Sequence, residues 1–315
     1  MPAVVIATAF GGPEVLSVTD QPTASPGPGQ ARVAVRAAGV NPIDWKAYSG
    51  SMGADPARLP MRLGAEAAGV VTAAGPGASG PAGPVMPGDE VIAFRVSGAY
   101  AAELVVPAQS LVPKPPALDW PQAAGLMVTG AAAWHTLVAT GVGEGDTVLI
   151  HGAAGGVGVM AVQLAVARGA AVVATASPAR HDFLRGLGAV PVGYGDGLAE
   201  RVRAAAPGGI DAALDLVGTD EAIDVSLTLV ADRGRIATIA AFARGPRAGL
   251  KVLGGGPGAD PGTEIRAAAR LELARLVQDG TLRVFVTRAF PLADVAAAHR
   301  ASMTGHSSGK IALIP

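Results

Sequence analysis

The sequence contains no cysteine. That excludes a disulfide framework, a thiol nucleophile, an iron–sulfur cluster and any zinc site built on sulfur ligands. Charge is scarce too: charged residues make up 16% of the chain and the formal net charge is −1, with no basic block. An electrostatic grip on nucleic acid is therefore not expected, nor are acidic partners. Aromatic residues are only 4% of the total, and the five histidines stand far apart. The most membrane-like stretch, Gly152 to Ala167, is glycine-rich, contains Gln163 and stops at Arg168, short of the ~18 apolar residues of a spanning helix. No cationic or apolar leader precedes the strand-like Val4-Val5-Ile6, so a cytoplasmic location is expected.

Hydrophobic residues form 50% of the 315, enough for sizeable cores, and the length predicts two domains. As far as about residue 115, Pro and Gly punctuate short β-type runs. Gly75-Pro76-Gly77 and Pro87-Gly88-Asp89, for example, flank runs such as Ala68-Gly69-Val70-Val71-Thr72 and Glu90-Val91-Ile92-Ala93. This is the pattern of strands and tight turns in a barrel-like β domain. Pro113-Lys114-Pro115-Pro116 marks a candidate boundary. From Asp119, strand and helix signals alternate: strands at 146–150, 171–175, 209–215 and 235–239, helices at 157–168 and 220–230. Repeated βαβ units imply a parallel sheet covered on both faces. A glycine-rich loop, Gly254 to Gly258, then leads into an amphipathic helix, Glu264 to Asp279, closed by Gly280, and the tail reads strand, helix, strand.

The strongest chemical signal is His151-Gly152-Ala153-Ala154-Gly155-Gly156-Val157-Gly158, between a strand and a helix. Small residues there let backbone N–H groups approach a pyrophosphate at the positive end of the helix dipole. Ala153 holds the first glycine position of G-x-G-x-x-G. An NAD site needs an acid ~20 residues further on to bond the ribose 2′-hydroxyl. The second strand instead runs out into Ser177-Pro178-Ala179-Arg180, where Ser177 offers a hydroxyl and Arg180 a forked cation for a 2′-phosphate. NADPH is therefore expected over NADH, the plainer alternative being that Arg180 is a solvated residue of a helix's first turn.

With these motifs the chain resembles the zinc-free, quinone-oxidoreductase type of the medium-chain dehydrogenase/reductase superfamily, the group that includes ζ-crystallin. The matching segments are Gly39 to Lys46, Leu63 to Val71, Pro87 to Val91, Ala153 to Gly158, Asp215 to Gly218 and Gly309-Lys310-Ile311. The resemblance implies an α/β chain in two parts. A GroES-like β-barrel catalytic domain would comprise 1–118 and 282–315, and a doubly wound Rossmann NADPH-binding domain 119–281, with the active site in the cleft. It also implies vacant zinc positions, because Asn41 and Ala65 stand where zinc-dependent relatives carry cysteine and histidine. Without a Lewis acid, quinones and polarised double bonds become the expected acceptors.

By the same resemblance Asn41 and Asp44 lie beside the nicotinamide and substrate, with Lys46 nearby, although Asn-Pro and Asp equally suit a structural turn. Tyr48 is a candidate proton donor or else an exposed surface tyrosine. Val217, Gly218, Ile239, Ala240 and Ala241 are expected to flank the cofactor, and Asp215 to order its local backbone. Tyr194 resembles a residue near the 2′-phosphate and Lys310 a lysine near the cleft. Ser308 and Ala132 stand where relatives often carry arginine and threonine. His135, His299 and His306 read as structural or surface residues.

The expected function is NADPH-dependent hydride transfer to a quinone or an α,β-unsaturated carbonyl, with a small-molecule substrate and no metal. Its rivals are a biosynthetic reductase or cyclase for a specialised metabolite, and a non-catalytic NADPH-binding structural or regulatory protein. A homodimer is expected through an unpaired edge strand at Leu250 to Leu253.

Overall fold

The computed structural model describes residues 1–256, 258–305 and 309–315. Pro257 of the glycine-rich loop, His306 and Ser308 lie outside them. The chain divides into two compact units, Met1–Val128 with Arg270–Pro315, and Thr129–Ala269. The division falls inside two helices, Met127–Thr140 and Thr263–Gln278. Residues 119–128 and 270–281 thus go with the first unit rather than the second. Two bonds tie these residues to that unit: Val128 N–H donates to Glu66 (2.8 Å), and Arg270 donates to the carbonyl of Gln109 (2.6 Å).

The first unit is built on a seven-stranded sheet. Its central strand Gln30–Val40 pairs antiparallel with Glu66–Ala74, Glu103–Pro107 and the C-terminal strand Lys310–Ile314. The tail therefore completes a sheet begun 270 residues earlier, with Ile311 opposite Val40 and Leu313 opposite Ala38. Alternate inward side chains (Val33, Val35, Val71, Val91, Leu104, Leu313) form its core. The short helix Pro42–Tyr48 follows the central strand at once. Pro42 suits a first helical position, where its missing N–H would have no acceptor. This is a helix, not an Asn-Pro turn.

The second unit holds a six-stranded sheet, all parallel: Thr147–His151 next to Ala171–Thr175 and then Val190–Val192 on one side, and Ala212–Asp215, Ile236–Thr238 and Lys251–Val252 on the other. In chain order this is 3-2-1-4-5-6, the doubly wound order, whose first strand stands at the switch point where such sheets bind dinucleotides. The two strands read at 209–215 and 235–239 are shorter than expected, because Arg233–Arg235 forms a 3₁₀ turn and residues 209–211 precede the ladder. Gly280, at φ +79°, caps the Thr263–Gln278 helix as expected.

The sheet edge at Leu250 to Leu253, expected to be unpaired, is covered. The edge strand is only Lys251–Val252, and Asp260 already covers the backbone beside it, its N–H donating to Val252 O and its carbonyl accepting from Gly254 N–H (2.8 Å each). Leu250, Val252 and Leu253 are buried rather than displayed.

Candidate active site

Two sets of residues, one in each unit, carry the chemistry. In the Thr129–Ala269 unit, strand Thr147–His151 ends at Gly152, whose φ of +71° needs glycine. The loop closes on itself through Gly155 N–H to Gly152 O (3.1 Å), and the helix Gly156–Ala167 starts with Gly155 as its cap. The first N–H groups of that helix have no intrahelical acceptor, which makes them donors for a pyrophosphate. Ala153, in the first glycine position, is fully buried, and its N–H donates to Thr175 O (3.2 Å). Gly158 is the tightest position: a Cβ there would stand 2.4 Å from Gly152 O and 2.6 Å from the Ala153 backbone. At Gly155 a Cβ would meet only Gly152 O, at 3.3 Å. The cradle thus fits a dinucleotide, with Ala154, Gly156 and Val157 partly exposed along it.

The neighbouring turns are wired by one buried pair. Asp215 Oδ1 accepts from the N–H groups of Val217 (3.1 Å) and Gly218 (2.8 Å), and its Oδ2 accepts from the Thr238 hydroxyl (2.6 Å). Thr238 Oγ1 in turn accepts from Ala240 and Ala241 N–H. Gly218, at φ +80°, packs against Ala240, and Ile239 N–H donates to Asp215 O. Asp215 orders the backbone, as the sequence suggests, and Thr238 is a partner the sequence reading missed. Val217 is left 50% exposed. Behind the loop, His151 is buried between Ser226 Oγ (3.2 Å) and Thr175 Oγ1 (3.4 Å), and burial pulls its pKa down to about 4.

Ser177 and Arg180 bracket a 3₁₀ turn, Pro178–Arg180, at the end of the second strand, and the Arg180 guanidinium has no carboxylate partner among the described residues. Tyr194 stands two residues beyond the third strand and is 61% exposed.

In the first unit, the helix Pro42–Tyr48 is held by a continuous buried chain. Asp44 Oδ2 accepts from Asn41 N–H and from the Tyr100 hydroxyl (2.8 Å each). A carboxylate only accepts, so the Tyr100 oxygen is left to accept from His299 Nε2 (3.3 Å). That assigns the proton to Nε2 and leaves Nδ1 to accept from the Tyr48 hydroxyl (2.7 Å). Desolvation pushes the Asp44 carboxyl up to about 6 against these bonds, raises both phenols, and pulls His299 down to about 4. Tyr48 is therefore not a surface residue: it is fully buried and its proton is engaged by His299. His299, without a visible partner in the sequence, is the hub of the chain.

Beside it lies a buried ion pair. Lys310, 3% exposed, donates to Glu66 Oε1 (3.0 Å), Val40 O (3.0 Å) and Asn41 Oδ1. Asn41 Nδ2 donates to the same Glu66 oxygen (3.0 Å), while Glu66 Oε2 caps the Met127–Thr140 helix at Val128 N–H. Both polar atoms of Asn41 and all of Lys310's reach are thus taken within the unit. Of the four residues read as catalytic, Lys46 is the one with no side-chain hydrogen bond among the described residues, its ammonium lying 5.5 Å from the centre of the Trp45 ring. His135, another histidine with no visible partner in the sequence, bonds Asp260 (3.2 Å).

Residues 27–116 match the family described as alcohol dehydrogenase GroES-like domain, and residues 187–313 the one described as zinc-binding dehydrogenase. A quinone oxidoreductase of Pseudomonas aeruginosa is 35% identical over 335 residues, covering 98% of both chains. The chain belongs to the quinone-oxidoreductase type of the medium-chain dehydrogenase/reductase superfamily. It is an NAD(P)-dependent oxidoreductase. The crystal structure of Escherichia coli quinone oxidoreductase complexed with NADPH superposes with a TM-score of 0.86 at 28% identity, covering 99% of this chain and all of that one. The spectinabilin polyketide synthase system protein NorB of Streptomyces orinoci is 37% identical over 318 residues, 95% of this chain. The chain spans only 14% of that protein's length.

The zinc in the name of one matching family does not suit these residues. The chain has no cysteine, no His/Cys/Asp/Glu group able to hold a metal occurs among the described residues, and Glu66 is already neutralised by an ammonium.

The buried titrating groups give a pH signature. His151 and His299, lowered from 6.5 to about 4, are proton-free in the fold where the unfolded chain would be charged. Their contribution is present above pH ~6.5 and is lost as pH falls through ~4, by about 1.4 kcal/mol per pH unit for each proton. Asp44, raised from 3.8 to about 6, works the other way, its contribution being lost as pH rises through 6. Asp44→Asn should therefore steepen the loss of stability between about pH 6 and 4 by one proton's slope, read from urea midpoints. An unchanged slope would contradict the assignment.

Proposed function

We propose that the protein is an NADPH-dependent reductase that passes a hydride to a quinone or an α,β-unsaturated carbonyl. The observation that carries this reading is the end of strand Ala171–Thr175. It supplies the Ser177 hydroxyl and an Arg180 guanidinium without a carboxylate partner among the described residues, where an NAD site needs an acid. The glycine cradle supports the same reading, since its small residues leave the helix terminus open to a pyrophosphate. Bound there, the cofactor would supply the hydride. The chain's part is to hold the phosphates on the 152–158 loop, fork the 2′-phosphate with Arg180, and keep the 217–218 and 239–241 turns rigid through Asp215 and Thr238.

NADPH should bind at least about tenfold more tightly than NADH, and Arg180→Ala should cost NADPH ~1–3 kcal/mol while leaving NADH nearly unchanged. Calorimetry decides: equal affinities for the wild type would refute the cofactor assignment. The proton that completes reduction of an enone comes, on this reading, from solvent, because the Tyr48 hydroxyl donates to His299 and burial makes the phenol a weak acid. Tyr48→Phe should lower kcat by no more than about tenfold while costing ~1 kcal/mol of stability. Abolished turnover with intact NADPH affinity would establish a dedicated donor instead.

A second reading, a reductase for a specialised biosynthetic intermediate, is favoured by the 37% identity to a segment of a polyketide synthase system protein. It predicts narrow choice among enones and little quinone turnover. A substrate panel separates the two, and absence of NADPH oxidation with every acceptor would point to a non-catalytic binding protein. The homodimer and a cytoplasmic location remain proposals. No helix among the described residues is long and apolar enough to cross a membrane, and light scattering at micromolar concentration tests the dimer.

A further inference from the structure

Between strand Val190–Val192 and helix Leu198–Ala205, the chain makes a five-residue loop containing Tyr194. The loop takes left-handed backbone at Gly195 (φ +96°) and Gly197 (φ +77°), conformations that only glycine adopts cheaply. One side chain gathers it. Arg201, on the helix that follows, donates from Nε to Gly193 O (2.9 Å), from one terminal nitrogen to Asp196 O (2.7 Å) and from the other to Gly195 O (2.8 Å). On the remaining polar side Glu221 Oε1 accepts from Gly195 N–H (2.8 Å). A five-residue surface loop has conformational entropy to lose, and three charge-assisted bonds from one planar fork offset that loss.

This loop leaves the sheet beside the Ser177–Arg180 turn. Thr175 pairs with Val192 in the parallel ladder, and Ala176 N–H donates to Val192 O (3.1 Å). Two segments therefore emerge together at the carboxyl ends of adjacent strands, the side on which open α/β sheets bind ligands. One carries a guanidinium without a carboxylate partner, and the other a phenol 61% exposed with no hydrogen bond among the described residues. Carbonyl oxygens turned toward that space would repel an anion. Here the carbonyls of Gly193, Gly195 and Asp196 are all occupied by Arg201.

We infer that Arg201 is a positioning residue for cofactor selection, which clamps the 193–197 loop so that Tyr194 stands as a fixed wall of the 2′-phosphate subsite. It acts through Tyr194 and touches no cofactor itself. The inference rests on the NADPH reading above.

The test is calorimetry with NADPH and NADH on the wild type, Arg201→Met, Tyr194→Ala and the double variant, together with amide hydrogen exchange of 193–197 in the free protein. Arg201→Met should speed exchange across the loop, raise the NADPH Kd about tenfold and change the NADH Kd by less than about twofold. Tyr194→Ala, an exposed substitution that leaves the fold alone, should give the same split, and the double variant should be no worse than either single one. An unchanged NADPH/NADH ratio in Arg201→Met, or losses that multiply in the double variant, would overturn the inference while leaving the NADPH reading intact. A wild type that binds both cofactors equally would sink that reading and the inference with it, before any variant is made.

Discussion

Gly158→Ala should abolish NADPH binding and cost about 3 kcal/mol of stability, although it adds one methyl group. The new carbon would stand 2.4 Å from Gly152 O and 2.6 Å from the Ala153 carbonyl carbon, and all of these are backbone atoms that no rotamer change can move aside. The helix Gly156–Ala167 would have to lift off the loop that presents its N-terminus. Gly155→Ala makes the control: its only close neighbour is Gly152 O at 3.3 Å, so the fold should hold and the loss should fall on cofactor affinity. Melting temperature and NADPH titration of the two variants separate close packing from ligand approach. Equal melting temperatures would show that the loop relaxes around Gly158.

Lys310→Met should be the most destabilising change in the first unit, by about 3–5 kcal/mol, because it strands a buried carboxylate. Glu66 would keep Asn41 Nδ2 and Val128 N–H as donors but lose the one cation hydrogen-bonded to it among the described residues. Lys310→Met with Glu66→Gln should be at least ~1 kcal/mol more stable than Lys310→Met alone, since the double change removes both charges together. Urea unfolding reads both. The sequence resemblance places Lys310 near the cleft, as a candidate for cofactor binding. If Lys310→Met left stability unchanged and raised only the NADPH Kd, that role would stand and the ion pair would be incidental.

The two sets of residues, one in each unit, differed in how far the sequence revealed them. The nucleotide cradle was legible because its chemistry is local: a β-branched run, small residues at fixed offsets and a helix form one contiguous segment from Thr147 to Ala167. The parallel sheet follows from the repeated βαβ pattern for the same reason. The first-unit cluster was not legible. Tyr48 meets His299 across 251 positions, and Lys310 meets Asn41 across 269, so neither periodicity nor spacing marks the pairing. A lone tyrosine near the end of a short helix reads as surface until the helix Val295–Met303 is packed against it. The same holds for the sheet edge at Val252, which looks open until Asp260 folds back on it. Arg201 is a different case, since its partners lie within eight residues but are carbonyls, which a sequence does not display.

The measurement that bears most directly on the whole account is steady-state NADPH oxidation by the purified protein, with a benzoquinone and with a simple enone as acceptors, before and after exhaustive chelation. Turnover is expected with at least one acceptor, faster with NADPH than with NADH at limiting cofactor, and indifferent to the chelator. Turnover that vanishes with the chelator and returns with zinc would contradict it, as would oxidation of NADH in preference to NADPH.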